Sequence, residues 1–512
     1  MHSLFVRLTR MKNKKVLIIG IDSMDRELLL KFEDSLPTFK KLKKMSPNID
    51  LKSVFPPDSI TAWATIYTGQ NPAKHGAVFF VDPRNPFDKV GVTATGDLDN
   101  TFLGGKTFWD IASKSGKKVC IVFPHIGYPP WKVNGIMVGR SVKGRTLKGG
   151  DAPPILSYPE DIARNASQNL NKLEAKAFRD DFDRYIKLSE ELVFNEMEFS
   201  LKLLAKSDWD LFFTYSDVLD GIQHYFWSYF DENDPLFPRD NEYKCVIKKF
   251  YKIYDRVVSE YLNAVDLSEY AVIILSDHGH YRRPAKIVNF NKILLEMGLL
   301  YKKSNGIMDV YKILSKLKKI VAKISTRGVL GKMIISFAYK SKKARKLYAE
   351  KQYIDWEKTI ASACDMSGIK EYSYGGIKIY KHANNEEIRE KIIQMLRDLK
   401  DYNGKPIVKW VCKREEMYEG EYIEKYPDII FELFPEYGVG LDIYDEFISD
   451  SKTHHIQPGG HRLDTPVIFI STESALIPVK QKIELMDIAS TILSLLGVKT
   501  NVKFDGQSIF KM

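Results

Sequence analysis

Short, unbroken apolar runs alternate along this chain with longer stretches whose apolar residues recur every three or four positions. The runs Lys15-Val-Leu-Ile-Ile-Gly-Ile21, Lys118 to Phe123, Trp209 to Tyr215, Ala271-Val-Ile-Ile-Leu275 and Pro466 to Ser471 read as strands buried on both faces. Residues 25–45 (broken near Pro37), 106–116, 178–206, 241–265 and 483–496 read as helices. Further strands are expected at 376–380 and 428–433, with a helix at 385–400, and 141–158 reads as loop. Strands alternating with helices predict an α/β sandwich around a mostly parallel central sheet. In such sheets ligands bind outside the carboxyl ends of the strands.

The segment Ser53 to Gly76 breaks this rhythm. Pro56 and Pro57 favour extended backbone, Asp58 or Ser59 can cap a helix over Ile60 to Thr68, and Gly69 ends it. A Ser59 hydroxyl at a helix N-terminus faces the positive end of the dipole, which favours an alkoxide and an incoming anion. Taken alone, such a serine reads as an N-cap.

Other residues change that reading. Asp22 ends the first strand. Asp220 and His224, four apart, share one helix face. Asp277 and His278 end the strand 271–275, where two neighbours can reach one ion. His461, in Pro458-Gly-Gly-His-Arg462, reads as part of a glycine-rich loop. Each has an ordinary reading: Asp22 as a helix cap, the loop histidine as solvated. Together, three Asp, three His and one Ser suffice for two divalent ions, one carrying the serine hydroxyl. Imidazole with carboxylate points to zinc or manganese, since a magnesium or calcium site favours oxygen alone. A hydroxyl activated in this way can attack phosphorus in line.

Composition narrows the setting. Of 512 residues, 28% are charged and 44% hydrophobic, which suits a soluble globular protein. No apolar run approaches the roughly 18 residues of a membrane span. Leu4-Phe5-Val6 is too short for a signal-peptide core, and Met11 is an alternative start. Cys120, Cys245, Cys364 and Cys412 are widely spaced, without a CxxC pair, and read as reduced thiols in a cytoplasmic protein. Net charge is +11, but residues 301–350 hold twelve Lys and two Arg against Asp309 and Glu350. The rest of the chain is therefore near neutral, and no nucleic-acid-binding surface is expected. Within the basic segment, Val310, Ile313, Leu314, Leu317, Ile320, Val321 and Ile324 fall on one helical face. It reads as an insert packed on the core, as a cap attracting an anionic substrate, or as a hairpin lying peripherally on an anionic inner membrane face. The expected organisation is a core in two parts, 12–300 and 351–512, interrupted by this insert at 301–350. Oligomeric state is not legible.

Several segments, in order, resemble the alkaline phosphatase superfamily, and within it the type I phosphodiesterase/nucleotide pyrophosphatase group. They are Ile19-Gly-Ile-Asp22, Pro56-Pro57 through Tyr67-Thr-Gly-Gln-Asn-Pro-Ala-Lys-His-Gly76, Asp220-Gly-Ile-Gln-His224, Ser276-Asp-His-Gly279, Ile354-Asp-Trp356, Tyr426-Pro-Asp428 and Gly459-Gly-His-Arg462. The resemblance runs from Lys15 to about Ile509 and is weakest over 301–350. It implies an alkaline-phosphatase-like fold and hydrolysis of a small anionic phosphate ester, a phosphodiester or pyrophosphate, with two metal ions, zinc first; the alternatives are a phosphomonoesterase or phosphomutase on the same scaffold, or a non-catalytic member that docks on a membrane or partner. It implies that Ser59 is the nucleophile, forming a covalent phosphoserine. Asp22, Asp277 and His278, with Ser59, would hold one ion; Asp220, His224 and His461 would hold the other. Thr61 lies two residues out of register for the nucleophile. The chain departs from the family at Ser23, where Gly is common, and at Phe79 and Phe80, where pyrophosphatases carry an Asn. His280, His454 and His455 are candidates for contacts to the site's ligands or to substrate, with surface histidines the more ordinary reading.

Overall fold

The computed structural model describes residues 13–78, 97–145, 152–164, 166, 168–175, 181–303, 354–368, 370–380, 385–473 and 476–510. Phe79, Phe80 and all but 301–303 of the basic insert lie outside the described residues.

Seven strands form the central sheet: β1 (Lys15–Ile21), β2 (Val119–Val122), β3 (Gly135–Gly139), β4 (Leu156–Tyr158), β5 (Leu211–Ser216), β6 (Tyr270–Leu275) and β7 (Ile468–Ser471). Their spatial order is β7-β6-β1-β5-β2-β3-β4. The five inner strands are parallel, and the edge strands β4 and β7 run antiparallel to their neighbours. The fold is the expected α/β sandwich. Leu17, Ile19, Ile21, Phe212, Val272 and Ile274 pack on one face, beneath helices that include Phe182–Leu204 and Val246–Asn263. Val16, Ile18, Leu211, Phe213, Ala271 and Ile273 pack on the other, beneath Phe108–Lys114 and Asp487–Leu495. Burial of alternate residues on both faces is why these strands are continuous apolar runs.

A second sheet of four antiparallel strands runs in the order Ala361–Asp365, Tyr374–Ile379, Ile429–Leu433, Val408–Lys413. One of its faces packs with helix Asn385–Asp398. Phe55 and Ala73 join Tyr372, Tyr374 and Tyr418 in a cluster that seats this sheet against the segment before and after helix α1 (Ser59–Thr68). A two-stranded ribbon pairs Gly279–Arg282 with Gly459–Arg462, placing His461 opposite His280. His461 is therefore on a short strand, not in the loop its glycine neighbours suggested.

The C-terminal ends of β1, β5 and β6 converge. Asp22 follows β1, helix α2 (Val218–Phe230) follows β5 after one residue, and Asp277 lies two residues beyond β6. Asp22 does not cap the next helix; Asp25 does, accepting from the Leu28 N–H at 3.0 Å. Among the described residues no helix is long and apolar enough to cross a membrane.

Candidate active site

Ser59 is the first residue of α1. Asp58 is its N-cap, accepting from the Ile60 N–H at 3.1 Å, and Gly69 closes the helix with φ 63°. The Ser59 hydroxyl lies 3.1 Å from His278 Nε2. Thr61 is buried in the body of the helix.

The seven residues expected to form the site converge in two linked groups. Asp22 Oδ1 and Asp277 Oδ2 lie 3.6 and 3.3 Å from His278 Nε2. Asp220 Oδ1 lies 3.3 Å from His224 Nε2 and 3.5 Å from His461 Nε2, and those two nitrogens are 3.1 Å apart. The rings of His278 and His461 stack at 3.8 Å, so the two groups share a wall. Ligands about 2.1 Å from a tetrahedral ion stand roughly 3.4 Å from one another, which is the spacing seen here.

Each imidazole is held by its far nitrogen. Nδ1 of His224, His278 and His461 lies 3.0, 3.0 and 2.7 Å from the carbonyls of Gly459, Gly279 and Pro57. A carbonyl only accepts, so each Nδ1 carries the proton and each Nε2 turns a lone pair inward. Two such lone pairs 3.1 Å apart repel unless a cation lies between them. Burial holds His224 down at about 4 and His461 well below the usual imidazole range, so both are neutral, the form that ligates metal.

The carboxylates complete the pattern. Asp22 Oδ1, Asp220 Oδ1 and Asp277 Oδ2 are buried without a hydrogen-bond partner. Uncompensated buried carboxylate oxygens are costly, and a bound cation is the ordinary compensation. Burial raises Asp22 and Asp277 well above the carboxylate range, and neighbouring carboxylates push both the same way. The donor set fits divalent metal.

Sequence reasoning missed the residues that aim Asp22. Its second oxygen accepts from the Tyr215 hydroxyl at 2.5 Å and the Trp63 indole N–H at 3.1 Å. Tyr215, having given its proton, accepts from His125 Nδ1 at 2.8 Å. Trp63 crosses β1 only because residue 20 is glycine; a Cβ there would lie 2.7 Å from the indole. These aromatics carry no signal in sequence that separates them from core. His280 corrects the surface expectation. It is fully buried, with Nδ1 2.7 Å from Ser23 Oγ and its ring 4.8 Å from that of His224. His454 is also buried, 3.1 Å from Asp234, whereas His455 is exposed.

The model of the type I phosphodiesterase/nucleotide pyrophosphatase family matches residues 16–436. The chain belongs to that family. No curated protein sequence matches it. Among solved structures it is similar to phosphonoacetate hydrolase from Sinorhizobium meliloti 1021 in complex with phosphonoformate. Identity is 14%, covering 95% of this chain and 97% of that one, with TM-score 0.55. Human ectonucleotide pyrophosphatase/phosphodiesterase 5 is similar at 13% identity over 96% and 97% of the two chains, with TM-score 0.50. An inactive form of the murine protein, in complex with AMP, matches at 14% identity over 96% and 97%, with TM-score 0.51. These likenesses are likenesses of fold.

Type I phosphodiesterases are metal-dependent phosphoester hydrolases, and this member presents two residue groups able to hold metal, Asp22, Asp277 and His278, and Asp220, His278 and His461, which share one imidazole. Ser23 sits at φ 63°, a conformation non-glycine residues adopt under strain, and its hydroxyl reaches His280.

Proposed function

We propose that the protein is a two-metal phosphohydrolase that cleaves phosphodiester or pyrophosphate bonds through a phosphoserine on Ser59. Asp22, Asp277 and His278, with the Ser59 hydroxyl, hold one ion, and Asp220, His224 and His461 hold the other; zinc fits this mixture of imidazole and carboxylate best, with manganese second. The observation that carries the reading is the pairing of three Nδ1-anchored imidazoles with three buried, unpartnered carboxylate oxygens.

When bound, the ions lower the proton affinity of the attacking hydroxyl and stabilise charge on the phosphoryl oxygens. Ser59, at the positive end of α1, loses its proton to solvent and attacks phosphorus. The Oγ–P bond forms as the bond to the leaving oxygen breaks, and that oxygen takes a proton from water. A water molecule then attacks the phosphoserine from the opposite side, restoring the serine and releasing the phosphate product. Tyr215 and Trp63 hold Asp22 in place throughout. The substrate is a small anionic phosphate ester. The four cysteines are free, which supports a reducing, cytoplasmic setting. The core is read as two stretches of chain, 12–300 and 351–512, because β7 completes the sheet begun by β1.

The test is hydrolysis of bis-p-nitrophenyl phosphate beside p-nitrophenyl phosphate, by metal-stripped protein resupplied with zinc, manganese or magnesium. Diester turnover should return with zinc or manganese and fall at least about a thousandfold in Ser59→Ala. Full activity in that variant removes Ser59 from the mechanism, and turnover of the monoester alone replaces the diesterase with a phosphatase.

A further inference from the structure

The hairpin joining strands Ala361–Asp365 and Tyr374–Ile379 leans its tip on both halves of the site. Lys370 Nζ lies 3.6 Å from Asp58 Oδ2, at the cap of the helix that begins with Ser59. The Tyr372 ring lies 5.4 Å from that of His461, and the Tyr374 hydroxyl donates to the His461 carbonyl at 3.1 Å. Pro57, Asp58, Ser367, Lys370, Tyr372 and His461 meet there in a crevice too tight to hold a water molecule.

This tip is braced far beyond what a surface turn needs. Asp365 accepts from the Ser367 N–H at 2.9 Å and the Glu371 N–H at 2.8 Å. Glu371 is held at φ 58°, and its carboxylate accepts from the Ser451 hydroxyl and the Lys452 N–H at 2.7 and 2.8 Å. The Thr453 hydroxyl donates to the Lys370 carbonyl at 2.9 Å. A strained residue held by such a network marks a backbone whose position matters. What it positions is an ammonium. The Lys370 side chain is 29% exposed, and its charge acts on Asp220, His224 and His461. The buried Arg283 guanidinium sits over the Tyr372 ring at 5.0 Å and donates to its hydroxyl at 3.3 Å, fixing the ring that Lys370 also approaches.

We propose that Lys370 is a specificity residue that binds a second anionic group of the substrate, attached to the scissile phosphorus. The proposal rests on the phosphohydrolase reading above. A phosphoryl group in reach of Ser59 lies beside the α1 N-terminus, and Lys370 stands at the neighbouring cap residue. The ammonium therefore meets what is bonded to that phosphorus. A neutral alkyl or aryl group gains nothing from it; a second phosphoryl or a carboxylate gains a charge-assisted contact and takes the place of Asp58 as its partner. Asp58 is buried, so drawing Lys370 away from it has a cost that the new charge-assisted contact must exceed.

The experiment compares zinc-loaded wild type, Lys370→Ala and Lys370→Arg. Calorimetry measures binding of inorganic phosphate and inorganic pyrophosphate, and kinetics compares bis-p-nitrophenyl phosphate with the p-nitrophenyl diester of pyrophosphate. Lys370→Ala should weaken pyrophosphate at least about tenfold more than phosphate and lower kcat/KM for the pyrophosphate diester by a similar ratio, mostly through KM; arginine should restore most of it. An unchanged ratio, or a wild type that binds both anions equally, overturns the proposal. Selective loss of pyrophosphate binding with no turnover by wild type leaves Lys370 as assigned and sinks the hydrolase instead. Turnover with an unmoved ratio does the reverse.

Discussion

His75 and the three histidines of the candidate metal groups are all buried imidazoles, yet their surroundings differ. His75 Nδ1 accepts from the Ala77 N–H at 3.1 Å. Its Nε2 lies 2.9 Å from Thr65 Oγ1, which already donates to the Thr61 carbonyl and so must accept. Both nitrogens are spent inside the protein, and the region is complete. His224, His278 and His461 each spend Nδ1 on a carbonyl and turn Nε2 toward carboxylate oxygens that have no hydrogen-bond partner, with His278 Nε2 also 3.1 Å from the Ser59 hydroxyl. Burial and a lowered proton affinity are common to His75, His224 and His461, so neither property identifies a site. An unfilled valence does.

The comparison breaks most visibly if the unfilled groups prove dispensable. Asp277→Ala should reduce phosphodiester turnover by about 10⁴-fold and reduce bound zinc from two ions toward one, measured by elemental analysis after dialysis. The metal-free form should lose little stability, because Oδ2 is uncompensated and the group's other oxygen accepts a single long bond, from the Ser23 N–H at 3.2 Å. A large loss of apo stability would mean that Asp277 is structural.

His75 should behave in the opposite way. Its pKa is held at about 3 by burial, against an ordinary value of 6.5, so the unfolded chain binds the extra proton first. The stability it protects is complete above pH 6.5 and is lost as pH falls through 3, at about 1.4 kcal/mol per pH unit and up to about 5 kcal/mol in all. Urea unfolding between pH 7 and pH 4 should show that slope, and His75→Gln should flatten it while leaving the zinc content unchanged.

Zinc sharpens the contrast further. At a hundred times its dissociation constant each ion should stabilise wild type by about 2.7 kcal/mol, and Asp277→Ala by roughly one ion less. Smallest of all, Tyr215→Phe removes one of two donors to Asp22 Oδ2 and should weaken metal affinity or turnover by about 10- to 100-fold. A change below twofold would make the tyrosine mere packing.

The central sheet was legible because its strands are covered on both faces and carry unbroken apolar runs. The strands Ala361–Asp365 and Val408–Lys413 were not, since Ala-Ser-Ala-Cys-Asp and Val-Lys-Trp-Val-Cys-Lys lack such a run and their pairing is decided by distant partners. The candidate ligands were legible because chain topology alone brings strand ends to one edge. Their orientation was not. Tyr215 and Trp63 read as core aromatics, and only the fold shows each donating to Asp22. His280 read as a surface residue because nothing local reveals that its ribbon strand lies against α2, whose Trp227 and His224 enclose the ring.

The site's order along the chain also bears on its birth. Asp22, Ser59, Asp220, His224, Asp277 and His278 lie within the first 278 residues, but His461 and the edge strand β7 come after a further 180 or so. A nascent chain therefore carries six of the seven candidate residues long before the ribosome delivers the last imidazole.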